Sequence, residues 1–158
     1  MVKENFHSDG WLLINKPQGI ESFGVIRKLK FRYSFKKIGF AGTLDPLASG
    51  LLLVGINKAT KKIPNIHQEK KSYEVEIRFG ASTNTLDSEG RFFKMESSSH
   101  NINERVSHLK KFIGTYQQKI PDFSAHKLNG KNFYELARDN KAIEDRYKKV
   151  SVQSLKVL

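Results

Sequence analysis

The chain is 158 residues long, enough for one core of ordinary size and too short for two large domains. Hydrophobic residues at 38% and charged residues at 28% suit a folded, globular protein, and the absence of cysteine excludes a disulfide framework, a thiolate metal site and a cysteine nucleophile. Lys and Arg number 28 against 16 Asp and Glu, and the net charge of +12 is the electrostatic footprint of a phosphate-backbone binder.

This excess is not confined to a tail. Residues 1–80 hold 14 basic and 7 acidic side chains, leaving 14 and 9 for the remainder, so a folded basic face is expected rather than a disordered basic arm. No apolar run approaches the roughly 20 residues of a membrane span, and the opening MVKENFHSDG lacks the apolar stretch of a signal peptide. The chain is therefore expected to remain in the cytoplasm and away from membranes.

Trp11 to Ile14 predicts a short buried strand, closed by the turn-like Asn15-Lys16-Pro17-Gln18-Gly19. Ser22 then predicts the N-cap of a helix through about Tyr33, with Val25, Ile26, Leu29 and Phe31 on its apolar side. Lys28, Lys30, Arg32, Lys36 and Lys37 decorate that helix and its exit; a solvated face accounts for them as well as a phosphate track does.

The stretch from Gly39 to Gly50, GFAGTLDPLASG, comes next and runs into the apolar strand Leu51 to Ile56. Gly42 and Gly50 allow backbone geometries and close approaches that a side chain would obstruct, and Pro46 fixes the chain just after the single carboxylate, Asp45. The loop reads as a rigid mount for Asp45 at a sheet edge. An Asx turn with no chemistry accounts for the same spacing.

Asn57 to about Ile66 reads as a basic helical segment. Ser72 to Phe79 alternates strictly and predicts a strand with Tyr73, Val75, Ile77 and Phe79 inward and Ser72, Glu74, Glu76 and Arg78 outward. Ala81 to Gly90, ASTNTLDSEG, reads as a mobile loop, and Ser97 to His100 as a second break. Asn101 and Glu104 have capping-box spacing ahead of a helix, with Gly114 where a helix stop belongs. Asn129-Gly130 signals a hairpin between Ser124 to Leu128 and Lys131 onward, a short helix covers about Phe133 to Arg138, and Lys149 to Leu158 closes the chain as a strand. His67, His100, His108 and His126 lack ligand spacing, and no metal site is expected.

The wording of several of these stretches goes beyond spacing. GFAGTLDPLASGLLLV resembles the signature loop of the TruB-type tRNA pseudouridine-55 synthases, approximately G-H-x-G-x-L-D-P-x-A-x-G-x-L. Leu13 to Gly19 looks like the family's L-x-K-P-x-G, Ala59-Thr60-Lys61 its A-T-K, and Lys71-Ser72-Tyr73 its K-x-Y. Gly80 with Thr83 to Gly90 resembles G-x-x-T-D-T-x-D-x-x-G, and Pro121 to Gly130 followed by Tyr134 and Ala137-Arg138 matches P-x-x-S-A-x-K-x-x-G…Y-x-x-A-R. These segments occur in the family's order and cover about residues 11 to 140.

The resemblance implies an α+β fold, a mixed and mainly antiparallel sheet flanked by helices with a basic cleft across it. It implies isomerisation of a T-arm uridine of tRNA to pseudouridine by a monomer, without metal or organic cofactor. Asp45 takes the place of the family's essential aspartate, and Tyr73 that of the tyrosine that stacks on the flipped base and assists removal of the C5 proton. By composition alone, Tyr73 reads as an ordinary inward strand tyrosine. Gly42, Thr43 and Phe40 are the candidate substrate contacts of the loop; Phe40 replaces a histidine, so it keeps a stacking or wedge role without a polar contact. Lys16, Lys61 and Lys127 are candidates for shaping the cleft or touching phosphate, or are plain surface lysines. Asn84 departs from the family's aspartate, while Asp87 remains as the matching acid.

The family's G-T-Y-I-R-like segment, whose arginine pairs with the catalytic aspartate, and its C-terminal RNA-binding module have no counterpart before Leu158. The expectation is the N-terminal portion of a synthase catalytic domain over residues 1–158. A catalytically inactive tRNA-binding fragment and a guide-RNA-dependent relative are the alternatives.

Overall fold

In the computed structural model, which describes residues 4–67, 69–95, 101–121, 124, 127–128, 131–133 and 145–158, the apolar run after the Gly/Pro loop becomes the centre of a sheet. The chain divides into two units, Met1–Glu74 and Val75–Leu158. The first contains strand β1 (Glu4–Phe6), strand β2 (Gly10–Lys16), helix α1 (Ser22–Arg32), strands β3 (Tyr33–Phe35), β4 (Ile38–Ala41) and β5 (Gly50–Ile56), a 3-10 segment at Asn57–Lys62 and the single-turn helix α2 (Ile63–Ile66).

Strand β5 lies between β2 and β4 and is antiparallel to both, in register from Gly10↔Ile56 to Lys16↔Gly50 on one side and from Ile38↔Ile56 to Ala41↔Leu53 on the other. The pleat sends alternate side chains to opposite faces, so Leu52, Val54 and Ile56 are buried while Leu51 remains exposed. Val25 and Ile26 of α1 pack with Leu52 and Val54, and Leu12, Ile14, Ile20, Leu29, Ile38, Phe40 and Leu44 extend the cluster. A parallel pair, β1 with β3, is joined by rings: Phe6 lies 6.3 Å from Tyr33 and 5.6 Å from Phe35, centroid to centroid.

Three expectations for residues 1–79 need correction. Ser22 is the first residue of α1, not its cap; Glu21 occupies the cap position without a side-chain hydrogen bond. Phe31, placed on the apolar side, is 71% exposed; the fully buried residues of α1 are Ser22, Gly24, Val25 and Ile26, with Leu29 partly buried against the core. Residues 72–78 form no strand and Phe79 begins a turn, and Tyr73, Val75, Ile77 and Phe79 are all exposed rather than inward. Alternation reports the tendency to be a strand, but a ladder also needs a partner for its N–H and C=O groups.

The 3-10 segment is entered through Asn57, a buried non-glycine residue at φ +52°. Its backbone N–H donates to Lys37 O at 2.8 Å, its Oδ1 accepts from Lys37 N, and its Nδ2 donates to Phe6 O and Ser8 O. One side chain thereby ties the start of the unit to the β3–β4 turn. Asparagine tolerates the left-handed region better than other side chains, which suits it to this position.

In the second unit, β6 (Ala81–Thr83) pairs antiparallel with β7 (Phe92–Met95), helix α3 spans Ile102–Lys110, and β8 (Gly114–Lys119) pairs antiparallel with β11 (Tyr147–Val152). Strands β9 (Lys127–Leu128) and β10 (Lys131–Asn132) pair with Leu128 opposite Lys131, the register that a two-residue hairpin loop demands. Asn101 caps α3 by accepting from Glu104 N at 3.0 Å, as the capping-box spacing predicts. The closing strand is Tyr147–Val152, earlier than expected, because its antiparallel ladder partner β8 begins at Gly114, opposite Val152. Asn129-Gly130 themselves, Ser97 to His100 and most of the expected helix at 133–138 lie outside the described residues.

The stretch expected as a mobile loop is instead a bonded hairpin connection. Asp87 accepts from Thr85 Oγ1 at 2.6 Å and Glu89 N at 3.0 Å, Thr83 Oγ1 donates to Asp87 O at 2.7 Å, and Arg91 N donates to Asn84 Oδ1 at 2.8 Å. A Cβ on Gly90 would stand 2.2 Å from Thr85 Oγ1, so this glycine permits a close approach. The whole is an α+β arrangement of mainly antiparallel strands with helices.

Asn57→Ala removes three partly buried side-chain hydrogen bonds to the backbone and is expected to lower unfolding free energy by about 2–3 kcal/mol. Urea denaturation of the variant beside the parent chain checks this.

Candidate active site

Residues 42–49 join β4 to β5 and carry Asp45. Gly42 turns the chain out of β4 at φ +76°, and Gly50 returns it into β5 at φ +128°. A Cβ on either would meet no atom within 4 Å, so both are required for their left-handed backbone and not for the close approach expected from sequence. Between them, Ala48 N donates to Asp45 O at 3.0 Å and closes a tight turn.

The loop is held by the connection between β2 and α1. Ser22 Oγ donates to Leu44 O and accepts from Leu44 N, both at 2.9 Å. Gly19 N donates to Pro46 O at 2.8 Å. The residues on either side of Asp45 are thus both bonded to the same short connection, while Leu44 packs against the core cluster. Asp45 itself is exposed, and among the described residues its carboxylate makes no hydrogen bond or ion pair. Sequence reasoning missed Ser22: a serine ahead of a helix looks the same whether its hydroxyl caps that helix or reaches another loop.

Lys16 ends β2, fully buried. Its Nζ donates to Pro17 O at 3.0 Å and Ile20 O at 2.8 Å, holding the connection from within. Of the two roles expected for it, the geometry is that of shaping the site; a buried ammonium bonded to two carbonyls is not presented to a phosphate. Phe40 sits in β4 opposite Val54, half-buried against the core cluster, so its ring serves first as packing.

The remaining candidates are more dispersed. Thr43 is exposed beside Asp45, and Lys61 is exposed in the 3-10 segment. Tyr73 is 71% exposed, and no described hydrogen bond joins it to the loop. Lys127 belongs to the second unit, where its backbone faces Asn132; its side chain lies outside the described residues. A shallow groove at the start of α1, lined by Gly19, Ile20, Gly24, Arg27, Lys28 and Phe31, adds a basic rim near the loop's anchor. There Arg27 lies 5.6 Å over the Phe23 ring and 3.8 Å from Glu21.

Comparison with known proteins bears on this arrangement. Residues 29–158 match the family described as TruB family pseudouridylate synthase (N terminal domain). A protein of Ruegeria sp. (strain TM1040) named tRNA pseudouridine synthase B is 39% identical over 149 residues, 94% of this chain and 49% of the relative. Proteins of the same name from Aquifex aeolicus (strain VF5) and Clostridium kluyveri are 40% and 38% identical over 150 residues, each match covering 95% of this chain and 52% of the relative. The chain spans about half the length of these curated relatives. With residues 29–158 matched to the family's N-terminal domain, this chain belongs to the TruB family of pseudouridylate synthases.

Proposed function

We propose that this chain supplies the catalytic aspartate loop of a cytoplasmic tRNA pseudouridine synthase that isomerises uridine 55 of the T arm. The observation that carries the reading is Asp45: an exposed carboxylate on a backbone bonded on both sides, at Leu44 and Pro46. Such a group can act on an electron-poor sugar carbon with little reorganisation, because its backbone is already ordered.

The chemistry balances without a redox partner. The N1–C1′ bond breaks with its electron pair leaving on the base. The base turns, C5 bonds to C1′, the C5 proton departs and N1 gains a proton. Asp45 acts on the sugar during cleavage, as nucleophile or base. Tyr73, in the role the family resemblance gives it, stacks on the extruded base and assists loss of the C5 proton. A uridine within folded tRNA must be flipped out for this, and the exposed lysines and arginines along α1 and the 3-10 segment offer charge for the surrounding phosphates.

One observation favours a second reading. The carboxylate of Asp45 has no cationic partner among the described residues, so a chain that binds the T arm without turning it over is the alternative.

Tritium release from a T-arm hairpin carrying 5-tritiated uridine decides between them. Release is expected from the parent chain and should fall to background in Asp45→Asn; hairpin binding without release would establish the second reading. Tyr73→Phe should retain binding and slow turnover by about 100-fold or more, in the range of general acid–base effects; unchanged turnover would remove Tyr73 from proton transfer. Hairpin binding measured by fluorescence anisotropy should weaken about tenfold or more between about 50 and 200 mM salt if some three phosphates are neutralised.

A further inference from the structure

We infer that Ser22 is a positioning residue for the isomerisation, setting the backbone that carries Asp45. The inference rests on the function proposed above and adds a residue whose sequence position points to a different job. Ser22 is 1% exposed and opens α1, where a serine would ordinarily cap the helix; here its hydroxyl leaves the helix and engages a loop 22 residues away.

The engagement is reciprocal. Oγ accepts from Leu44 N and donates to Leu44 O, both at 2.9 Å, so both polar groups of the residue before Asp45 are met by one side chain. A hydroxyl carries one donor and two acceptor lone pairs, and is the smallest group able to do this. On the far side of Asp45, Pro46 O accepts from Gly19 N, and the turn is closed by Ala48 N on Asp45 O. The peptide plane leading into Asp45 is therefore fixed by Ser22 and that leading out by Ala48, while Gly19 holds the next plane, between Pro46 and Leu47.

The hydroxyl's surroundings strengthen the case. Val25 and Ile26 of the same helix lie in the core cluster, so α1 is itself held against β5. Leu44 packs on that cluster through its side chain and on Ser22 through its backbone. Without the hydroxyl, the Leu44 amide and carbonyl would be left unpartnered in an apolar setting and would turn outward for water, carrying the next residue with them. A displacement of about 1 Å at a catalytic group can lower turnover by about 100-fold.

The test compares the parent chain with Ser22→Ala, Ser22→Thr and Thr60→Ala. Thr60 is a matched control: a buried hydroxyl of the same unit, bonded to Asn57 O at 2.7 Å, outside the Asp45 loop. Amide exchange followed by NMR should show Leu44 and Ala48 exchanging at least about tenfold faster in Ser22→Ala, with Leu52 and Val54 unchanged, and Leu44 unchanged in Thr60→Ala. In the tritium assay, Ser22→Ala should lower kcat by about 10- to 100-fold with KM near the parent value, and Ser22→Thr should restore most of it. Parental exchange at Leu44 in Ser22→Ala, an equal acceleration across β5, or an equal loss of kcat in Thr60→Ala overturns the inference. If the parent chain itself releases no tritium, it is the proposed function that fails, and the exchange pattern alone decides whether Ser22 sets the loop.

Discussion

The burial of one face of β5 is the constraint from which the first unit follows. Leu52, Val54 and Ile56 are removed from water against α1 and the flanking strands, and each such aliphatic side chain contributes on the order of 1.5–3 kcal/mol. Because β5 is central, both edges of its backbone are bonded, to β2 and to β4. The loop that precedes it consequently begins and ends on fixed strands, and two left-handed glycines are enough to lift residues 43–49 out of the sheet. Asp45 is thus presented to solvent on a backbone held at both of its neighbours.

What holds it is Ser22, one of a small set of buried polar residues among those described. Lys16, Ser22, Asn57, Thr60 and Thr83 are buried, and every one has a hydrogen-bond partner within 3.3 Å. Four of them serve connections: Lys16 the link between β2 and α1, Ser22 the loop that carries Asp45, Asn57 the start of the first unit and the β3–β4 turn, and Thr83 the link between β6 and β7. Burying a polar group is unfavourable unless its bonds are met, so once met they select one arrangement of these loops over others. Among the described residues, exposed lysines and arginines along α1 and the 3-10 segment carry part of the chain's charge excess.

Much of this was legible before any coordinates. The apolar runs at residues 11–14 and 51–56, the helix after Ser22, the cap at Asn101 and the hairpin register around residues 128–131 follow from periodicity and turn chemistry, which are local. The aspartate loop was legible as wording, since its glycines, proline and acid match a family pattern in order. What failed, failed where a residue's role depends on something distant. Ser22 has the signature of a cap, and nothing local marks Lys16 as buried. Residues 72–79 carry strand alternation, yet four side chains expected inside are in solvent.

The sequence by itself therefore determined the family, the α+β class and Asp45 as the residue around which to look, because these rest on local pattern and on matching stretches in order. Only the tertiary structure decided which groups hold that residue. A hydrogen bond between a helix's first residue and a loop 22 positions on leaves no periodic trace, and burial of a lysine depends on which carbonyls the fold brings to its ammonium.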